Sequence, residues 1–225
     1  MTSPRPISGR GPTTRERERG HGSPDRAVIG IDEVGLAPLA GPVVACAILM
    51  PDGDLIDGVR DSKTLSRKQR EQLDPIIRRA ALAYGVGAAS AREVERLNPR
   101  AASHIAMQRA VRALERRYGR RVEFSLVDGS PARELNDLIG AHETIIKGDT
   151  SVYSIACASI VAKVLRDRLM SQLNQRYPGY GWDSNAGYPA PRHLAALERF
   201  GVTPHHRRTY APVAERIARD EGGAA

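Results

Sequence analysis

The chain has 225 residues, with 34 lysines and arginines against 26 acidic residues and a formal net charge of +8. That length suits one domain with a respectable core, and the positive excess suits a polyanionic partner, because clustered cations displace condensed counterions from phosphate. Two cysteines are too few for a disulfide framework, and no run approaches the roughly 20 apolar residues of a membrane span.

Residues 1–26 are Pro, Gly, Ser, Thr and Arg with few apolar side chains, and are expected to form a disordered basic tail. The ordered domain is expected over 27–214, and 215–225, ending EGGAA, as a frayed tail. Ala27–Ile31 and Gly41–Met50 are apolar runs that suit buried strands, separated by a turn-rich stretch with Gly35, Pro38 and Gly41-Pro42. Ser66–Leu82 has helical spacing, with Leu73, Ile76, Ile77 and Ala80 on one face. Ala83–Ala88 reads as a third strand. Ala102–Tyr118 reads as a helix stopped by Gly119.

Val122–Val127 reads as a strand delivering Asp128-Gly129, and Glu143–Ile146 as a short strand leading to Lys147-Gly148-Asp149. Tyr153–Tyr177 is a long helix, followed by a Gly- and Tyr-rich loop (Pro178–Tyr188), a short helix around Leu194–Phe200 and the basic segment His205–Arg208. Strands alternating with helices argue for an α/β domain around one mixed sheet. Cys46 and Cys157 lie in apolar runs and read as small core residues of a reducing compartment; the N-terminus lacks a secretory apolar core, so the expected location is cytoplasmic. With two phenylalanines and one tryptophan, an aromatic platform for single strands is not the expected mode.

Acids recur where strands stop: Asp32-Glu33, Asp128 and Asp149. Ligands of open α/β sheets gather beyond strand ends, so these carboxylates can converge. Asp-Gly after a strand is often only a turn, and Asp149 before a helix often only a cap. The adjacent acids Asp32 and Glu33, ending an apolar strand where ionised groups are costly, point more firmly to function. Several carboxylates held together call for a cation, and all-oxygen ligands favour magnesium or manganese; no Cys/His spacing suits zinc.

These segments together resemble ribonuclease HII, the type 2 ribonuclease H of bacteria. The matching stretches are GIDEVG (30–35), AGPVVACAIL (40–49), DSKTLS (61–66), AMQRAV (106–111), VDG (127–129), KGD (147–149), SIACASIVAKVLRD (154–167), YPGYGWDSNAGYP (177–189) and HHRRTYAPV (205–213), in family order. The resemblance implies a ribonuclease H-like α/β fold, a mixed central sheet flanked by helices, with a C-terminal helical extension. It implies a metal-dependent endonuclease that cuts the RNA strand of RNA–DNA hybrids, or DNA containing ribonucleotides, and leaves 3′-hydroxyl and 5′-phosphate ends. Asp32, Glu33, Asp128 and Asp149 match the family's catalytic, metal-holding acids for a two-ion site with Mg2+ or Mn2+; Asp167 is left out of that set. The implied substrate contacts are Gly35, Leu36, Ala37, Lys63, Lys147, Ser159, Lys163, Arg166, Tyr188 and His193, and the implied state is a monomer.

Neighbouring side chains of a regular strand face opposite ways, so two adjacent ligands imply an irregular backbone at Asp32-Glu33. The family's Gly-Arg-Gly is here Gly35-Leu36-Ala37. Leucine carries no donor, and alanine adds a Cβ where the backbone approaches a sugar. The expectation is that hybrids are cut while incision at a single ribonucleotide is weakened. The rival from another class is a protein on the same scaffold that binds nucleic acid without cutting it. Four retained acids facing a phosphate oppose it. A small-molecule metallohydrolase would leave the basic C-terminal segment unexplained.

Overall fold

The computed structural model of the protein describes residues 13–222. Its centre is a five-stranded sheet in the order β3-β2-β1-β4-β5. The strands are β1 (Val28–Val34), β2 (Val43–Leu49), β3 (Ala83–Ala89), β4 (Phe124–Asp128) and β5 (His142–Ile145). The first three form an antiparallel meander, and β4 and β5 add in parallel beside β1. This is the expected mixed sheet.

The helices are α1 (Glu16–Gly20), α2 (Arg67–Ala80), α3 (Ala91–Leu97), α4 (Pro99–Tyr118), α5 (Asn136–Ile139), α6 (Tyr153–Arg176), α7 (Trp182–Asn185), α8 (Pro191–Phe200) and α9 (Ala211–Gly222). Helix α2 starts at a capping box between Ser66 and Gln69. Its Ile76, expected on the apolar face, is 43% exposed. Helix α4 starts at Pro99, three residues before the Ala102 expected from the sequence. Asn98 caps the first turn through Ala101 N–H, and proline at the first helical position loses only an amide that has no helical partner.

Two helices clasp the sheet, and glycines set how closely. A Cβ on Gly85 or Gly87 of β3 would lie 2.1 Å from a carbonyl oxygen of α4, and one on Gly30 of β1 2.3 Å from the backbone of α6. The α4 side buries Ile29, Ile31, Val43, Ala45 and Ala47; the α6 side buries Cys46, Ile48, Cys157, Ile160 and Val161. Both cysteines are free and buried in the core.

The terminal expectations need correction. Residues 1–12 lie outside the described residues, but 13–22 are ordered, and α1 packs against the start of α6. At the other end, Ala211–Gly222 is a helix anchored by buried Val213 and by pairs from Arg216 and Arg219 to Glu198 of α8. Residues 223–225 lie outside the described residues. The C-terminal extension (α7, α8, α9) grips the hairpin between β1 and β2: Ala40 packs with Trp182 and Tyr180, and Leu39 with Leu197 and Val213. Among the described residues no helix is long and apolar enough to cross a membrane.

Candidate active site

Strands β1 and β4 run parallel and pair up to Ile31 opposite Val127, so their next residues, Asp32 and Asp128, reach the same edge of the sheet. Asp149 arrives there from a single 3-10 turn, Gly148–Thr150, that follows β5. Carboxylate oxygens of Asp32, Asp128 and Asp149 all lie within 4.8 Å of one another. Asp32 is 5% and Asp149 1% exposed.

Few donors serve this charge. Asp32 Oδ1 accepts from Glu33 N–H at 2.7 Å, Asp128 Oδ1 from Gly148 N–H at 2.7 Å, and Asp149 Oδ2 meets Lys63 Nζ at 3.2 Å. Burial drives the Asp32 carboxyl well above the usual carboxylate range, and Glu33 and Asp128 push it further; a Ser159 hydrogen bond opposes them. Burial and then Asp149 raise Asp128. Burial, reinforced by Asp128, lifts Glu33 to about 7. Desolvation with like-charge crowding is the signature of a site short of cations. The donor set is all oxygen and fits hard divalent ions.

Glu33 reaches this edge differently from expectation. The backbone does not depart from strand geometry: β1 keeps its register through Asp32 opposite Cys46 and Glu33 opposite Ala45. The two side chains therefore leave on opposite faces. Both still border the cleft because β4 ends at Asp128 and leaves a corner of β1 uncovered. Glu33 stands outside the three-carboxylate cluster, with Oε2 buried and lacking a hydrogen-bond partner among the described residues.

The cleft over the acids encloses about 310 Å³ and is lined by Asp32, Glu33, Asp128, Gly35, Leu36, Ala37, Lys63, Ser159, Lys163 and Tyr188. Lys63 is 78% exposed along its side chain. Lys163 pairs with Asp167 at 2.7 Å, which places Asp167 in an ion pair rather than among the acids. Ser159 is buried against Ser62 Oγ at 2.8 Å, and the Tyr188 ring is 41% exposed. Exposed Lys147 adopts φ +56° and does not line the cleft.

Two expected contacts point elsewhere. Arg166 is 0% exposed and does not face phosphate. Its guanidinium donates to the carbonyls of Pro42 (2.9 Å), Ala186 (2.9 Å) and Ala40 (3.2 Å). His193, also 0% exposed, sits at 2.8 Å from the Tyr188 carbonyl through Nδ1, while its Nε2 accepts from Trp182 Nε1–H at 3.0 Å. It supports the tyrosine from behind.

Sequence reasoning assigned no role to Arg207 and Tyr210, which hold the Gly35-Leu36-Ala37 loop. Arg207 donates to the carbonyls of Gly35 (2.5 Å), Leu36 (2.6 Å) and Gly41 (3.0 Å), and Tyr210 O–H to Leu36 O (2.6 Å). Gly35 has φ +100°, and a Cβ there would meet Arg166 Nε at 2.2 Å. The basic run His205–Arg208 was the available signal, but a run of charge does not say which member turns inward.

A family model for ribonuclease HII matches residues 29–213. A ribonuclease HII from Paracoccus denitrificans is 47% identical over 196 residues, covering 87% of this chain and 90% of that protein. The crystal structure of ribonuclease H2 from Pyrococcus horikoshii superposes with a TM-score of 0.72 at 26% identity, covering 86% of this chain and 98% of that one. The Bst-RNase HIII structure in complex with Mn2+ has the same fold, with a TM-score of 0.71 at 18% identity over 90% of this chain and 72% of that one. On sequence and fold together, the chain belongs to the ribonuclease HII family.

Proposed function

We propose that Asp32, Asp128 and Asp149, with Glu33 beside them, hold a pair of Mg2+ or Mn2+ ions at which this endonuclease hydrolyses the RNA strand of RNA–DNA hybrids. The carrying observation is that three carboxylates, those of Asp32 and Asp149 buried and that of Asp128 half-buried, lie within 4.8 Å of one another with too few donors to neutralise them. When bound, divalent ions supply the missing positive charge and Lewis-acid activation of the phosphodiester. A scaffold that only bound nucleic acid would gain nothing from such a cluster, which repels phosphate.

The chain's own residues orient both parts of the reaction. Asp32, central to the cluster and oriented by Ser159, is the acid suited to bridge two ions. Exposed Lys63, close to Asp149, and Lys163 on the cleft wall are placed to meet phosphates of the cut strand. Tyr188 offers a ring to a sugar, where a 2′-hydroxyl distinguishes RNA from DNA. The products are a 3′-hydroxyl and a 5′-phosphate, and the protein acts as a cytoplasmic monomer. At Leu36 the loop presents no side-chain donor, and the Gly35 and Leu36 carbonyls are occupied by Arg207. Losing a charge-assisted contact costs about 2 kcal/mol, so single embedded ribonucleotides are poorer substrates than long hybrids.

The test is purified protein with labelled hybrid, duplex DNA and single-ribonucleotide duplex, each with Mg2+, Mn2+ or chelator. Metal-dependent cutting of the hybrid, lost in Asp128→Asn, is expected. Absence of such cutting sinks the assignment; equal cutting of hybrid and single-ribonucleotide substrates sinks only the junction reading.

A further inference from the structure

Helix α6 begins four residues after Asp149, and its own sequence provides no side-chain cap: the N-cap position is Val152. The first amides of a helix have no intrahelical acceptors and need partners from elsewhere. Here they come from residues 13–20, a segment before the start of the family match at residue 29. Tyr153 N–H donates to Thr14 O at 3.0 Å, and Thr14 N–H donates to Ser151 O at 2.9 Å, making a parallel bridge between Thr14 and Val152. Ser154 N–H donates to Glu18 Oε1 at 2.8 Å, from a carboxylate 136 residues away in sequence.

Glu18 is 4% exposed, far less than an acid in a solvated tail. Its charge sits where the helix dipole favours an anion. The rest of the segment, and His21 just after it, make further contacts. The Arg15 guanidinium lies 4.4 Å over the Tyr153 ring, and Arg17 and His21 both pair with Glu143 of β5. The turn that carries Asp149 is thus bounded on one side by β5 and on the other by the first residues of α6, and this segment grips both. Within the turn, Lys147 has φ +56°, a conformation that side-chain-bearing residues adopt only when the surroundings hold them.

We infer that residues 13–20 form a positioning strap for the metal site, with Glu18 as the positioning residue that keeps the Asp149 carboxylate within reach of Asp32 and Asp128. Glu18 touches no reacting atom. It acts through the start of α6. The inference rests on the reading of the acids as ion ligands given above.

The experiment measures Mn2+ binding to the full chain by calorimetry, with hybrid cleavage followed across Mn2+ concentrations. Glu18→Ala is expected to weaken Mn2+ binding by about threefold to tenfold, no more than loss of a group bonded directly to a ligand, because Glu18 acts one step further out through Ser154 N–H. Activity at saturating Mn2+ should stay within ~2-fold of the parent, because the chemistry of the filled site is unchanged. Glu18→Gln keeps an acceptor oxygen for Ser154 N–H and should restore most of the affinity. If Glu18→Ala fails to fold, Thr14→Pro, which removes the N–H given to Ser151 O together with the hydroxyl beside Glu16 N–H but leaves Glu18 in place, should shift the Mn2+ midpoint the same way by less. Unchanged Mn2+ affinity in the variants, with only the melting temperature lowered, overturns the strap. A parent protein whose Mn2+ binding survives Asp128→Asn overturns the site reading instead.

Discussion

Two groups of buried like charge adjoin the same cleft, and they are handled in opposite ways. Arg166 and Arg207 are both 0% exposed, and burial with mutual repulsion pulls Arg166 down to about 10. Yet their donors meet carbonyls of residues 35–42 and of Ala186. Asp32, Asp128 and Asp149 have only one or two donors apiece against their like-charged neighbours, Glu33 included. Buried charge that the chain solvates with its own dipoles is architecture. Buried charge left unsolvated marks a place for a guest.

The contrast breaks first at the acids. Asp128→Asn should lower hybrid cleavage by roughly a thousandfold or more, measured at saturating metal. In metal-free protein the related change Asp32→Asn should raise the melting temperature by a few degrees, since it removes an unsolvated charge. Arg207→Met should do the reverse, costing about 3 kcal/mol in urea unfolding because the Gly35 and Gly41 carbonyls lose the guanidinium and Leu36 O keeps only Tyr210 O–H. Cleavage should fall with it as the loop loosens.

The pH dependence sharpens the comparison. Glu33, like Asp32, has a folded-state value above its unfolded one, so its contribution is full below the unfolded value near 4.5 and fades as pH rises through about 7. Metal-free protein should therefore lose stability from this cluster between about pH 5 and 8, and saturating Mg2+ should flatten that slope. His206 runs the other way. Burial lowers it to about 3, so its contribution is full above the unfolded value near 6.5 and erodes as pH falls. Melting curves across pH, with and without Mg2+, separate the two. Gly35→Ala should cost about 3 kcal/mol or more in urea unfolding, because a Cβ at φ +100° would lie 2.2 Å from the buried Arg166 Nε and 2.8 Å from Pro42 O.

What the sequence reveals follows from how local each cause is. Strands and long helices were legible because apolar spacing reports the face each element buries, and three acids at strand ends were legible because the sheet brings parallel strand ends together. Helix α3 was legible too and was overlooked: Ser90 and Glu93 form a capping box just before Val94. The ordered segment 13–22 was not legible, since its stability lies in Tyr153, Ser154 and Glu143, far along the chain. Arg166 misled for a related reason. Through its first ten residues α6 is buried all round, so helical spacing does not reveal which way a later arginine turns. Glu33 was expected to need an irregular backbone because the end of β4 beside it cannot be read from β1.

Strand order has a consequence for how the enzyme comes into being. Asp32 sits in an early hairpin whose partners are close by, whereas Asp128 and Asp149 join only when β4 and β5 dock beside β1, about a hundred residues later. A chain emerging from the ribosome thus carries half a site until β4 and β5 have been made and docked. Closure across such separations is slow compared with local folding, so the carboxylates meet only late in folding.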